Sequence, residues 1–281
     1  MKLQVQCTLT YEISSPATSI LSILALKSKK QNILTETLTL NPTLPAEELI
    51  SDINAHRFVR FEATEATTLN ISYNATVETY YEEIPHLDTI SPVTVAQVPA
   101  DIIPYLFPSR YCESDQLLRF AHHQFGQLES DYLKVTAVTD WIYQNVEYIS
   151  GSSNSQTSAH ATITEQAGVC RDFAHLAIAL CRALTIPARY FTCYAYKLNP
   201  PDFHACFEAY IGGNWIVFDA TRLVPLNGLV KIAHGRDAAD VAVATSYGNI
   251  SLNYLQVSCE ATDPDFTPFY YNAGNTRGLS Y

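Results

Sequence analysis

The segment 173–184, Phe-Ala-His-Leu-Ala-Ile-Ala-Leu-Cys-Arg-Ala-Leu, constrains the fold of this chain more than any other. As a helix it is apolar on nearly every side, and such a helix must be buried all round. It ends at Thr185-Ile186-Pro187, where proline forbids continuation. Gly168, just upstream, permits a tight turn into it. Cys170 then sits in the first turn, where unpaired N–H groups and the positive end of the helix dipole stabilise a thiolate. A reactive cysteine belongs at such a place. Most cysteines are nevertheless plain buried thiols, so the residues downstream must decide between the two readings.

The 281 residues allow one large or two ordinary domains with ample core. With 47% hydrophobic and 16% charged residues the chain is globular rather than disordered. A net charge of −11 and a pI near 5.1 exclude a basic face for nucleic acid. The seven cysteines are odd in number, form no Cys-x-x-Cys pair and lie mostly in apolar runs. Reduced thiols in a cytoplasmic protein fit this better than a disulfide framework. The start, Met1-Lys2-Leu3-Gln4-Val5-Gln6, lacks an apolar signal region, and the apolar run 20–26 is too short to span a membrane. The expectation is a cytoplasmic protein of bacterial style.

Residues 1–81 read as a small all-β, sandwich-like domain. Leu3, Val5, Cys7 and Leu9 alternate with polar residues, the period of a half-buried strand. Further strands are expected at 20–26, 33–40, 58–61 and 69–80, with turn signals between them such as Ser14-Ser15-Pro16. Five prolines punctuate 82–109, which reads as a surface linker. Residues 110–281 form the second domain. Helices are expected at 115–125 and 131–145, a loop at 150–162, and strands at 189–196, 204–211, 215–218 and 250–257. The tail from 263 reads as irregular, with aromatics that dock on the body.

A cysteine nucleophile needs a base and a group to orient that base. His204 opens one strand and Asp219 ends the next, and Gly212-Gly213 joins the two as a tight hairpin. The start of the first strand then lies beside the end of the second. The α+β pattern thus gathers Cys170, His204 and Asp219. Competing readings exist for the neighbours. His204 and Cys206 could ligate zinc, but no second Cys/His pair lies near in sequence. His175 reads as a core histidine, Asp172 as an anchor of the helix start, and Cys181, Cys193 and Cys259 as core. The pair His122-His123 reads as solvent-exposed.

Four ordered blocks carry a resemblance: Gly168-Val169-Cys170-Arg171-Asp172-Phe173, Leu184-Thr185-Ile186-Pro187-Ala188-Arg189, His204-Ala205-Cys206-Phe207-Glu208 and Trp215-Ile216-Val217-Phe218-Asp219-Ala220-Thr221. Over about residues 110 to 260 the chain resembles the transglutaminase-like superfamily, in particular its bacterial branch described as cysteine proteases. The resemblance implies a papain-like transglutaminase core and a triad of Cys170, His204 and Asp219. It implies thiol-dependent acyl transfer on peptide or protein amides, with hydrolysis the leading outcome. Protein-glutamine transamidation and a non-catalytic interaction module are the alternatives. The oxyanion would be held by the Cys170 backbone N–H, with the Tyr148 hydroxyl or a backbone group near 150–151 as second donor. No cofactor and no metal are expected, since neither a zinc spacing nor a calcium-type acidic loop is visible. The expected partner is a peptide or protein substrate, with no nucleic acid and no membrane.

Overall fold

The computed structural model describes residues 1–51, 54–272 and 274–281. Alternation builds its all-β region. In the strand Lys2–Ile13 every second residue from Leu3 to Ile13 is buried and the residues between are not. This strand lies between Thr67–Thr79 and Ile250–Ala261, both antiparallel to it, and Gln31–Asn41 completes a four-stranded sheet. A second antiparallel sheet runs in the order Ala244–Tyr247, Ala17–Leu21, Arg57–Ala63 and Ala46–Ile50.

The run 20–26 corrects the strand expected there. Only its first two residues belong to a strand; Ile23, Leu24 and Ala25 continue as buried irregular chain. Buried backbone needs partners, and side chains from outside the run supply them. The Tyr194 hydroxyl donates to the Ile23 carbonyl at 2.6 Å, Arg57 to the Ala25 carbonyl at 2.9 Å, and Gln31 to the Leu26 carbonyl at 2.7 Å.

The expected division at 81 and 109 does not follow the strand pairing. Strands Ala244–Tyr247 and Ile250–Ala261 come from beyond Asp219, yet each adds to a sheet of the first 80 residues. One apolar cluster runs from Leu3 to Cys181 and on to Cys259. The supposed linker is also packed. Its strand Glu82–Ile84 pairs with Gly278–Ser280, Leu87 is fully buried, and Tyr105 lies edge-on to Trp215 at 5.2 Å.

The helices are α1 (Leu118–Phe125), α2 (Asp131–Asn145), α3 (Ala159–Glu165) and α4 (Cys170–Ala183). Ser130 caps α2 by accepting from the Leu133 N–H at 3.2 Å. Helix α3 replaces the end of the loop expected at 150–162, because Ala159 and Thr162 bury against the neighbouring core. From Phe173 to Ala183 every residue of α4 is buried, as its composition requires. The helix packs on a sheet of order Asn214–Phe218, His204–Ile211, Ala188–Ala195 and Leu229–Gly235. The last strand is buried on both faces with Lys231 inside, which erases the alternation that would have revealed it.

Lys231 is inside because Glu208 is. The Glu208 carboxylate, wholly buried, accepts from Arg189 at 2.6 Å and from Lys231 at 2.5 Å. Burial opposes its charge, but the two cations prevail and lower its pKa from 4.5 to about 2. The stability this network contributes is therefore fully present above pH 4.5 and is lost as pH falls toward 2. Glu208→Gln strands two buried cations and should cost about 3–5 kcal/mol, read by chemical denaturation at pH 7. The acid-unfolding profile of that variant should flatten over the same window. A second prediction follows from the strand pairing. A fragment of residues 1–109 lacks one strand of each sheet and should show no cooperative thermal transition by circular dichroism, whereas the whole chain should.

Candidate active site

The site begins at the start of α4. Val169 occupies the cap position and has no side-chain acceptor, so the capping runs in reverse. The buried Asp172 carboxylate accepts from the Val169 N–H at 2.9 Å. Its other oxygen accepts from Arg171 Nη2 at 3.0 Å, and the same Nη2 donates to the Asn154 carbonyl at 2.7 Å. Asp172 thus anchors the helix start, as the sequence suggested, and through Arg171 also holds the loop before it. Gly168 turns out to matter for space rather than for a turn. It pairs in parallel with Tyr148, and a Cβ there would meet the Asp172 Cβ at 2.8 Å.

These contacts leave Cys170 half-buried in the first turn of α4. The hairpin brings the other two residues together as expected. Gly212 and Gly213 both take positive φ, 57° and 86°, the conformation a two-residue hairpin turn requires. His204 Nε2 then lies 3.1 Å from Asp219 Oδ2, and both side chains are fully buried. The other carboxylate oxygen, Oδ1, accepts from the Thr221 N–H at 2.9 Å and from its hydroxyl at 2.7 Å. Sequence reading missed Thr221. The Asp-Ala-Thr spacing, with a hydroxyl two residues after the acid, was the available signal.

Burial acts against a charged His204, but the Asp219 carboxylate and the adjacent Cys170 thiol hold its pKa well above 6.5. Asp219 is the converse case. Burial raises its pKa, and the His204 charge with the Thr221 hydrogen bonds more than offsets this, so that it lies below 3.8. The second imidazole nitrogen, Nδ1, is buried with no hydrogen-bond partner. His204 and Asp219 are thus a hydrogen-bonded pair, with the Cys170 side chain beside the imidazole.

Tyr148 lies next to these residues. Its ring leans on Phe173 at 5.8 Å, and its hydroxyl is in reach of the Cys170 backbone N–H and thiol. Burial, then the nearby Cys170, raise the phenol pKa, so the hydroxyl keeps its proton. His175 is a core residue. It stacks on Tyr111 at 5.0 Å, its Nε2 accepts from the Ala238 N–H at 3.1 Å, and burial lowers its pKa to about 3. His122 and His123 are exposed on α1.

One ligand atom from each of His204, Cys206 and Asp219 lies within 4.8 Å of the others. Burial and then the Cys193 contact raise the Cys206 pKa well above 9, keeping it a thiol, and both Asp219 oxygens already hold hydrogen bonds. A cleft of about 560 Å³ opens on Cys170 and His204 and extends to the sheet of the strand Lys2–Ile13. Among the described residues no helix is long and apolar enough to cross a membrane.

Residues 1–101 match the family described as bacterial transglutaminase, N-terminal domain, and residues 119–220 match the transglutaminase-like superfamily. A crystal structure named "Putative Cysteine Protease from Cytophaga hutchinsonii" is 60% identical, with a TM-score of 0.97 over 100% of this chain and 97% of its own. The uncharacterized protein ML0607 of Mycobacterium leprae is 24% identical over 83% of this chain and 88% of its own length. The chain belongs to the transglutaminase-like superfamily.

Proposed function

We propose that the protein catalyses thiol-dependent acyl transfer on peptide or protein amides, and that the dominant outcome is hydrolysis. The observation that carries this reading is the buried His204–Asp219 pair, 3.1 Å apart, beside a half-buried cysteine at a helix N-terminus. Cys170 Sγ attacks the amide carbonyl and its proton passes to His204 Nδ1, the ring nitrogen left without a partner. The imidazolium then returns that proton to the leaving amine. Asp219 fixes the ring tautomer through Nε2 and stabilises the imidazolium, while Thr221 holds Asp219. The developing oxyanion is met by the Cys170 N–H and the protonated Tyr148 hydroxyl. Water next attacks the thioester, His204 takes its proton, and the acid product leaves. All seven cysteines are free, which suits the cytoplasm as the compartment.

Cys170→Ala should abolish turnover of peptide amides while keeping the circular-dichroism spectrum and melting temperature. Asp219→Asn should keep the fold and lower kcat by about 10⁴-fold, the loss known from serine triads. The leaving amine must be protonated by an imidazolium that Asp219 sustains. The alkaline limb of the pH–rate profile should therefore lie well above 6.5 in the wild type and move down toward 6.5 in Asp219→Asn. Turnover in Cys170→Ala equal to wild type would dispose of the reading.

Hydrolysis is favoured over transamidation because, among the described residues, the cleft is lined by a single carboxylate, Asp202, too few to hold a lysine ammonium in place. Glu208, on the strand of His204, is fully engaged by Arg189 and Lys231. With a reactive peptide amide and a millimolar lysine-like amine, mass spectrometry should find the acid as the main product. A majority of amine adducts would instead make the enzyme a transamidase.

A further inference from the structure

The cleft holds a phenol that no step of the reaction has used. Tyr190 sits on the strand Ala188–Ala195, opposite Phe207 of the strand that begins at His204. It lines the cleft together with Cys170 and Arg171 and is 3% exposed. A series of three rings holds it. His175 of α4 lies 5.0 Å from the Tyr111 ring, nearly parallel at 4°, and 5.0 Å from the Tyr190 ring. His175 is itself fixed by the Ala238 N–H and stays neutral, so it offers Tyr190 a flat, uncharged surface. A ring clamped in this way keeps its hydroxyl in one place, and a donor already in place costs little to order when a ligand arrives.

The Tyr190 hydroxyl makes no hydrogen bond to the described residues, and it is not sealed off from solvent. The Thr192 hydroxyl, two residues along the same strand, is the contrasting case, closed in with no partner. Burial, then the nearby Cys170 thiol, hold the Tyr190 pKa well above 10, so the group is a donor and not a phenolate. Packing does not call for the hydroxyl, since a phenylalanine would lie against His175 equally well. Arg171 adds a second donor. Its Nε and Nη2 are taken by the Asp172 carboxylate and by the loop at 153–154, while Nη1 makes no hydrogen bond among the described residues and the side chain lines the same cleft. The guanidinium charge is matched by Asp172, which is wholly buried. The place therefore offers N–H and O–H donors without net charge. Such a pair suits a neutral acceptor with two lone pairs, which an amide carbonyl oxygen is. A carboxylate finds no unmatched cation there among the described residues, and Asp202 at the cleft repels it.

We propose that Tyr190 is a substrate-binding residue, whose hydroxyl, with Arg171 Nη1 beside it, donates to the main-chain carbonyl that precedes the scissile amide of an extended peptide. The proposal rests on the acyl-transfer reading for the identity of the scissile bond. Position selects this carbonyl. A peptide that presents its scissile carbon to Cys170 Sγ sends the scissile oxygen to the Cys170 N–H and Tyr148. The next acceptor lies one residue away, about 3.5 Å further along an extended chain. Tyr190, whose ionisation Cys170 affects, and Arg171, next to Cys170 in sequence, are uncommitted donors tied to Cys170 by proximity. Fixing that carbonyl fixes the rotation of the scissile amide, the alignment that attack on its carbon needs. The contact reads main chain and not side chain, so it serves peptides of differing sequence.

The test uses the full chain and fluorescently labelled pentapeptides Ala-Ala-X-Ala-Ala, with X spanning Ala, Leu, Gln, Lys and Glu and the bond after X as the scissile one. For the X that is hydrolysed or bound best, a partner peptide is made in which the amide before X becomes a trans-alkene, which keeps the shape and removes the carbonyl oxygen. In the wild type the alkene should lower kcat/KM by about 3–10-fold, the worth of one neutral hydrogen bond. Tyr190→Phe should lower it for the amide peptide by the same factor, mostly by raising KM, and should leave the alkene peptide unchanged. A structural role for Tyr190 would instead slow both peptides alike, so the coupling isolates the contact. Binding without turnover is read by anisotropy in Cys170→Ala and in Cys170→Ala/Tyr190→Phe, where the same coupling should appear in Kd. Hydrolysis in which Tyr190→Phe affects both peptides equally, or neither, overturns the proposal and leaves the acyl-transfer reading standing. Coupled binding without any turnover in the wild type does the reverse. Neither turnover nor binding across the set overturns both.

Discussion

The structure depends on one buried carboxylate, Asp172, and on the helix start it anchors. Asp172 has no exposure to water, so its charge must be met inside the protein, and the partners it has are the Val169 N–H and Arg171. Each contact fixes something else. The first sets the direction of the chain as it enters α4 and hence where Cys170 points. The second ties the loop around Asn154 to the helix, which shapes one rim of the cleft. Gly168 completes the arrangement, because any side chain there would occupy the space of the Asp172 Cβ. A nucleophile at a helix N-terminus is useful only if the helix cannot shift, and a helix buried on every side with its first turn locked from within cannot.

Charge is handled in the same way elsewhere in the catalytic sheet. Glu208 with Arg189 and Lys231, and Asp219 with His204 and Thr221, are both buried carboxylates with every oxygen occupied. They lie on one sheet and differ in what their partners can do. Arg189 and Lys231 hold both Glu208 oxygens by short hydrogen bonds inside the sheet, so Glu208 is a structural centre. His204 carries an ionisable ring whose pKa Asp219 raises, so in the proposed reaction the Asp219 centre is the one that moves protons. The distinction comes from the partner and not from the carboxylate.

The all-β region belongs to the same molecule in a stronger sense than tethering. Two strands from beyond Asp219 complete its two sheets, and Tyr194 of the sheet that carries His204 donates into its irregular buried segment at Ile23. Leu9, Tyr11 and Leu252 of this region line the cleft that opens on Cys170 and His204.

Much of this was legible in the sequence, and the boundary has a physical basis. Local patterning determined the buried helix, the strand Lys2–Ile13, α2 from Asp131 to Asn145, and the hairpin that sets His204 beside Asp219, because each needs only a period or a short turn. The family blocks named Cys170, His204 and Asp219, and hairpin register alone brings the last two together. What tertiary structure decided involves groups far apart in the chain. The strand Ile250–Ala261 has an ordinary strand pattern, but nothing local says that its partner is residue 3 rather than residue 230. The irregular segment at 23–26 looks like a strand because its polar partners Arg57 and Tyr194 are distant in the chain. The strand Leu229–Gly235 escaped because a buried lysine, neutralised by Glu208, breaks the apolar pattern. Sequence determined the elements and the reactive residues, since those follow from short-range periodicity and motif; packing decided what surrounds them, since burial and charge compensation are settled only between segments that meet in the fold.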